Sequence, residues 1–217
     1  MKKLLLFFLI VVIIFIGGVL WLGQGLKFKK EAKIKAPMTE SIQTNKKIVM
    51  VIAFRDFRDE EYFEPKEIFE KVGIEVKTAS DQKGKAIGAG GGETEVDLLV
   101  SEVNPAEFDA IVFVGGPGCL KHLDNENSYN LARETISEGK TLAAICISPV
   151  ILAKAGVLKD KKATVWSSPL DKKPIEILKE NGAIYEEKAV VVDENIVTAN
   201  GPAAAQEFGQ TILNLLK

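Results

Sequence analysis

"TLAAICISPVILAKAG", residues 141–156, decides the fold. An apolar run climbs to Cys146, and Pro149 with a helical pattern follows at once. That layout turns a buried strand into a helix at the cysteine. A sharp strand–turn–helix lifts one side chain clear of a sheet, the logic of a nucleophile elbow. A thiol at a helix N-terminus also feels the positive end of the helix dipole, which favours thiolate. The competing reading is a free cysteine acting as a small buried hydrophobe.

The pattern repeats on either side of this stretch. "KIVMVIAF" (47–54), "IEVKTAS" (74–80) and "DAIVFVGG" (109–116) are short runs rich in β-branched residues, bounded by polar or glycine-rich turns, and read as strands. Between them, "EEYFEPKEIFEKVG" reads as a helix capped by Asp59 and ended by Gly73, bent at Pro65. "KAIGAGGGETEVDLLVSEVN" (85–104) reads as a small hairpin excursion, and "NSYNLARETISEG" (127–139) as an amphipathic helix. After the elbow helix at 148–155 come a strand "KKATVW" (161–166), a helix near 174–181, and a strand "AIYEE" (183–187). A hairpin (189–199) turning at Asp193-Glu194-Asn195 and a last helix from Ala203 to Leu216 complete the chain. Strands alternating with helices predict an α/β fold with a mostly parallel sheet covered on both faces. Sites in such sheets gather at the carboxyl ends of the strands. Asp56–Glu61, Gly115–Cys119, Cys146–Ser148 and Asn200–Gly201 all fall there.

The 217-residue chain is long enough for one domain and an appendage. Leu4 to Leu26 carries no charge, follows Lys2 and Lys3, and has Trp21 near its far end. Such a run spans a hydrocarbon core of about 30 Å. Residues 1–26 are therefore expected to be a transmembrane anchor, with a signal peptide cut near Gly23-Gln24-Gly25 as the alternative. Residues 27–45 read as a polar, lysine-rich linker, and 46–217 as the domain. Lysines flank both ends of the run, and their excess on the far side leans towards a cytoplasmic domain. Residues 1–35 hold seven lysines and one acidic residue, which leaves 21 basic and 29 acidic residues, a net charge of −8. A body so charged is a poor nucleic-acid partner. Two cysteines make no disulfide framework, and a single histidine leaves no zinc spacing, so neither a metal nor a cofactor is expected.

Two pieces carry candidate chemistry beside Cys146. Glu61 lies in the first turn of the first helix, above the first strand, where a carboxylic acid could share a proton with the thiol. Periodicity alone does not separate it from Glu60, and both could simply complement the helix dipole. Gly115-Gly116 ends a buried strand, so backbone N–H groups can point into a cleft; with the N–H of Ile147 they could bind a developing oxyanion. Gly88-Ala89-Gly90-Gly91-Gly92 resembles a phosphate loop only in glycine content, because it opens no helix after a strand.

"FRDEEYFEP", "FDAIVFVGGPG", "AAICISPVILAKAGVLKDKKAT" and "IVTANGP" together resemble the PfpI / DJ-one family of the class I glutamine-amidotransferase-like superfamily, over essentially the whole body. The resemblance implies a flavodoxin-like sandwich that forms homo-oligomers. It also implies a nucleophile at Cys146, a neighbouring glutamate at Glu61, and backbone oxyanion donors at Gly116 and Ile147. Gly115, Ser148, Ser168, Asn200 and His122 are candidate walls of that site. The chain departs from its relatives where peptidase-like members carry histidine directly after the cysteine, since here the residue is Ile147. Ser168 stands where other members bring a histidine, and Asn200 where some have arginine. His122 reads as a surface-turn residue, with approach to the site or to a neighbouring subunit as the alternative. Without histidine, amide hydrolysis is hard to arrange. Thiol addition to a small electrophile, such as the carbonyl of a 2-oxoaldehyde, needs only the thiolate and Glu61; the expectation is an enzyme of that kind, or a hydrolase as the family label implies. The alternatives are a redox-responsive protein in which Cys146 is oxidised without turnover, and a scaffolding module with an idle site.

Overall fold

The computed structural model describes residues 45–217. The expected anchor at 1–26 and nearly all of the linker lie outside them, and no helix among the described residues is long and apolar enough to cross a membrane.

In chain order the strands are β1 (Lys47–Val51), β2 (Arg55–Phe57), β3 (Glu75–Ser80), β4 (Gly84–Gly88), β5 (Glu93–Val96) and β6 (Leu98–Leu99). They continue with β7 (Ala110–Phe113), β8 (Thr141–Ile145), β9 (Lys162–Ala163), β10 (Ile184–Tyr185), β11 (Val190–Asp193) and β12 (Ile196–Ala199). The helices are α1 (Asp59–Lys71), α2 (Cys119–Leu123), α3 (Glu126–Ser137), α4 (Pro149–Lys154), α5 (Lys173–Glu180) and α6 (Ala205–Leu215).

Seven strands form the main sheet in the order β11-β12-β8-β7-β1-β3-β6. Every pairing is parallel except that of β11 with β12, which form the expected hairpin. Side chains of a strand alternate between faces, and the central strands feed two cores. Ile48, Met50, Ala110, Val112, Ala143 and Ile145 pack with Tyr62 and Phe69 of α1 and Phe208 of α6. Val49, Val51, Ile111, Phe113, Leu142 and Ala144 pack on the other face with Leu131 of α3, Ile151 of α4 and Leu178 of α5. Continuous apolar runs make such strands, buried on both faces, and the result is the flavodoxin-like α/β arrangement.

The excursion after β3 is the antiparallel hairpin β4–β5, which joins β2 in a small sheet of order β2-β4-β5. "KKATVW" supplies only the two-residue strand β9, which pairs with β10 outside the main sheet. Helix α1 runs without interruption through Pro65. Its N-cap is Arg58, not Asp59, and no side chain caps it. Asp59 is instead turned towards the glycine-rich loop, where its carboxylate accepts from the N–H groups of Gly90 and Gly92, both at 2.6 Å. A β-carbon at Gly88 or Gly92 would lie 2.6 Å or less from that carboxylate. The glycines therefore cradle an anion, as their composition hints, but the anion belongs to the chain itself.

From β1 the chain moves outward to β3, whereas β7 and β8 lie on the other side of β1. The crevice between β1 and β7 is thus the switch point at which open α/β sheets place their sites.

Candidate active site

Cys146 lies between β8 and α4 with φ at 65°, in the left-handed region that costs a residue other than glycine about 1–3 kcal/mol. Its main chain is held on both sides. The Cys146 N–H donates to the Ala199 carbonyl at 2.8 Å, and the Cys146 carbonyl accepts from the Trp166 N–H at 2.8 Å. Ser148 closes the turn from beneath. Its hydroxyl accepts from the Ile145 N–H at 3.0 Å and lies 2.8 Å from the carbonyl oxygens of Phe113 and Ile145. These bonds over-determine the strained backbone, so the thiol has one fixed position at the end of the sheet.

Glu61 comes from α1. Buried residues of this helix are Glu61, Tyr62, Pro65 and Phe69, a stripe at helical spacing that faces the sheet, while Glu60 is exposed. Tyr62 fixes the rotation of α1 by hydrogen bonds to the Thr78 and Thr94 hydroxyls at 2.6 and 2.9 Å. The carboxyl of Glu61 is fully buried. Its Oε2 accepts from the Gly115 N–H at 3.1 Å, and its Oε1 has no hydrogen-bond partner.

Gly115 is where the two groups meet. A β-carbon there would lie 2.6 Å from Cβ of Cys146 and 2.8 Å from Glu61 Oε2. At Gly116, with φ at 114°, it would lie 2.4 Å from the Arg58 nitrogen. The Arg58 N–H in turn donates to the Gly115 carbonyl at 3.1 Å. Strand β7, the segment before α1 and the elbow are thus brought together through backbone contacts that only glycine permits.

Burial pushes the Glu61 carboxyl up to about 7, against the pull of the Cys146 thiol, the Gly115 N–H and the Arg58 charge. Burial pushes the Cys146 thiol up to about 12, with the negative charge of Glu61 adding to it. The N–H groups of Gly116 and Ile147 face the sulfur and oppose the rise. Two adjacent buried acids cannot both ionise cheaply, so the pair gives up its first proton readily and its second only at high pH. Between those limits it holds one proton and one negative charge. The dipole effect expected at the elbow is replaced by these two individual N–H groups, since α4 is only six residues long.

Beside the pair opens a cavity of about 310 Å³ lined by Arg58, Leu120, Cys146, Ile147, Trp166 and Pro202, with Gly116 and Pro117 on its rim. Cys146 is 8% exposed, which is its access to that space. None of the five candidate wall residues lines it, Gly115 being packed between Cys146 and Glu61. The Ser148 hydroxyl is spent on the elbow; Ser168 holds an exposed turn, accepting from the Asp171 N–H at 3.0 Å; Asn200 is exposed. His122 pairs with Asp81 at 2.8 Å. Asp81 also accepts from the Phe54 N–H at 3.1 Å. Partial burial works against its ionisation, but hydrogen bonds from His122 and the Phe54 N–H outweigh this and lower its pKa.

Arg58, Leu120, Trp166 and Pro202 are wall residues that the sequence reading passed over. Two of them leave a trace in it. Arg58 holds an N-cap position, where Ser, Thr, Asp or Asn is normally preferred, and Trp166 is the only tryptophan after residue 21. Cys119 is fully buried and both cysteines are free thiols. Among the described residues no group of three His, Cys, Asp or Glu is placed to hold a metal.

A family model described as the DJ-1/PfpI family matches residues 46–215. Deglycase PfpI of Pyrococcus furiosus is 35% identical over 169 residues, covering 78% of this chain and 99% of the relative. Protein/nucleic acid deglycase 2 of Escherichia coli is 36% identical over 177 residues, covering 79% and 98%. Among solved structures, the ThiJ/PfpI domain protein of Brachyspira murdochii superposes with a TM-score of 0.74 at 38% identity, covering 80% of this chain and 97% of that one.

Proposed function

The chain belongs to the DJ-1/PfpI family, and from that premise we propose that it is a cysteine-dependent, deglycase-like enzyme acting on small reactive carbonyl compounds and their amine adducts. The observation that carries this is the buried pair: Cys146 in a strained elbow, close to the buried carboxyl of Glu61 across Gly115, at the edge of a small, mostly apolar cavity. The names of the P. furiosus and E. coli relatives support the reaction class. In the same reading the uncharged run at 4–26 tethers a homo-oligomeric domain to the cytoplasmic face of a membrane.

With an aldehyde in the cavity, the Cys146 sulfur bonds to the carbonyl carbon and the π electrons move to oxygen. Glu61 takes the proton that leaves the thiol and passes it to that oxygen, and a hemithioacetal results. The N–H groups of Gly116 and Ile147, which already face the sulfur, receive the developing negative oxygen. An amine adduct reaches the same intermediate when sulfur displaces the amine, which leaves with the Glu61 proton. If the substrate is a 2-oxoaldehyde, ionised Glu61 moves the C–H proton of the hemithioacetal to the neighbouring carbon while the hydroxyl proton passes to the ketone oxygen. The resulting thioester is hydrolysed to a 2-hydroxy acid and the free thiol. No oxidant is consumed.

Amide hydrolysis lacks this support. Ile147 follows the cysteine, and His122, the single histidine, is paired with Asp81 away from the cavity.

The test is turnover of methylglyoxal, and of its adduct with a simple amine, by the full-length chain. Cys146→Ser should abolish both activities, and Glu61→Gln should lower kcat by about 100-fold or more. A second reading, peroxide sensing, draws on the unpartnered Glu61 Oε1, which as an acid can donate to an oxygen on an oxidised sulfur. Gain of one or two oxygen atoms at Cys146, with no carbonyl turnover, would favour it.

A further inference from the structure

Arg58 stands out against the cavity it lines. The other lining groups are apolar side chains, two glycine-loop residues and the Cys146 thiol. Its main chain is pinned at both ends, the N–H to the Gly115 carbonyl at 3.1 Å and the carbonyl to the Tyr62 N–H at 3.3 Å. The side chain is half-buried, and its Nε is buried without a hydrogen-bond partner. None of the ion pairs among the described residues involves it. The carboxyl whose charge it feels, Glu61, is turned instead to Gly115, accepting from its N–H at 3.1 Å. A guanidinium is a planar fork of donors suited to carboxylate and phosphate. A buried polar donor left unpaired is costly and calls for a partner.

We propose that Arg58 is the specificity residue of the site, binding an anionic group, carboxylate or phosphate, carried by the carbonyl substrate whose reacting carbon sits at Cys146. This rests on the reading of Cys146 as the reactive thiol. It narrows the substrate class from any small aldehyde to aldehydes with a negative oxygen-bearing group, the rest of the molecule being compact enough for the apolar walls of Leu120, Trp166 and Pro202. The site then resembles most ligand pockets, apolar overall with one placed polar group fixing orientation.

Two measurements on the full-length chain test this separately from the function itself. The first compares alkylation of Cys146 by iodoacetate and by its neutral counterpart iodoacetamide, each followed on the Cys146 peptide and normalised to free cysteine. The second compares kcat/KM for three 2-oxoaldehydes, 4,5-dioxopentanoate, hydroxypyruvaldehyde phosphate and methylglyoxal, which carry a carboxylate, a phosphate and no charge. Wild type should favour the anionic member in both. Arg58→Met should reduce that preference by about tenfold or more, the scale of a hydrogen bond to a charged group, and Arg58→Lys should keep part of it. 4,5-Dioxopentanoate and hydroxypyruvaldehyde phosphate rank the two anion types. Equal normalised rates in wild type overturn the proposal, as does a preference that survives in Arg58→Met. If Arg58→Met does not fold, the wild-type preference and its loss at high salt decide. Iodoacetate preference without turnover of any aldehyde retains the anion site and refutes the carbonyl chemistry; aldehyde turnover blind to charge does the reverse.

Discussion

Glu61 and Cys146 meet over the α-carbon of Gly115: a β-carbon on that residue would lie 2.8 Å from Glu61 Oε2 and 2.6 Å from Cβ of Cys146. The acid and the thiol come from opposite sides of β7, one from the helix after β1 and the other from the turn after β8. The residue between them must have no side chain. Gly115→Ala should therefore separate the pair and strain the β7–elbow contact, costing about 1–3 kcal/mol of stability. Turnover should fall by more than the folded fraction does. Unfolding curves and specific activity measured on one preparation decide it, and an unaffected activity would show that the close approach is dispensable.

Glu61 should also make stability depend on pH. Its ordinary value of 4.5 applies to the unfolded chain, and the folded value is about 7. Between these limits the folded chain holds the proton and the unfolded chain does not, so stability is greatest below the lower value and falls as pH rises to the upper one. The loss amounts to about 3 kcal/mol. Glu61→Gln keeps the oxygen that accepts from Gly115 but cannot ionise. Its unfolding free energy should change less over this window, and above neutrality it should exceed wild type. Chemical denaturation across that pH range measures both. Parallel curves for the two proteins would mean that Glu61 is not held as an acid.

Asp59 and the glycine loop form a separate support. Two charge-assisted hydrogen bonds at 2.6 Å reach from Asp59 to Gly90 and Gly92. Asp59→Ala should cost about 1–3 kcal/mol and free the loop locally. Hydrogen exchange should quicken at the Gly90 and Gly92 amides while the β1 and β7 amides keep their protection. Unchanged exchange at those two amides would remove the Asp59 contact from the account.

Ser148 tests the elbow rather than the chemistry. Its hydroxyl ties the Ile145 N–H to the end of β7, and Ser148→Ala would leave a buried donor unsatisfied, at about 1–3 kcal/mol. The strained Cys146 backbone would then have less to hold it. A drop in melting temperature with a slower alkylation of Cys146 is expected; a stability equal to wild type would mean that water replaces the hydroxyl.

The tether has a simple check. The full-length chain should pellet with membranes and resist extraction by alkaline carbonate, whereas a chain of residues 45–217 alone should remain in the supernatant. A full-length chain found in the supernatant would count against the anchor.

Much of the fold was legible because it rests on local pattern. Continuous runs such as "KIVMV" and "TLAAI" must be buried on both faces, and their alternation with helices leaves a parallel sheet as the natural solution. The elbow was equally local, since Cys146 and Pro149 stand within one turn. Short edge pieces were not: "KKATVW" has the composition of a strand, but only Lys162 and Ala163 find a partner, and pairing depends on β10 arriving from elsewhere.

The sequence by itself determined the residue types at the strand ends, and with them the thiol, the acidic turn and the strand-ending glycines. Only the tertiary structure decided which of them meet. Glu61 and Glu60 are equivalent until α1 is rotated against the sheet, because packing of Tyr62, Pro65 and Phe69 sets the phase that buries one and exposes the other. Asp59 looked like a cap because capping is a local contact; its partners lie 31 and 33 residues away. Ser148, a candidate wall by position, is turned inward by the need to satisfy a buried N–H. Arg58 has no chemical meaning in its own segment and acquires one only when β7, β8 and the segment before α1 enclose a cavity around it. Local pattern is carried by neighbours in the chain, whereas burial, pairing and access depend on residues brought together from far apart.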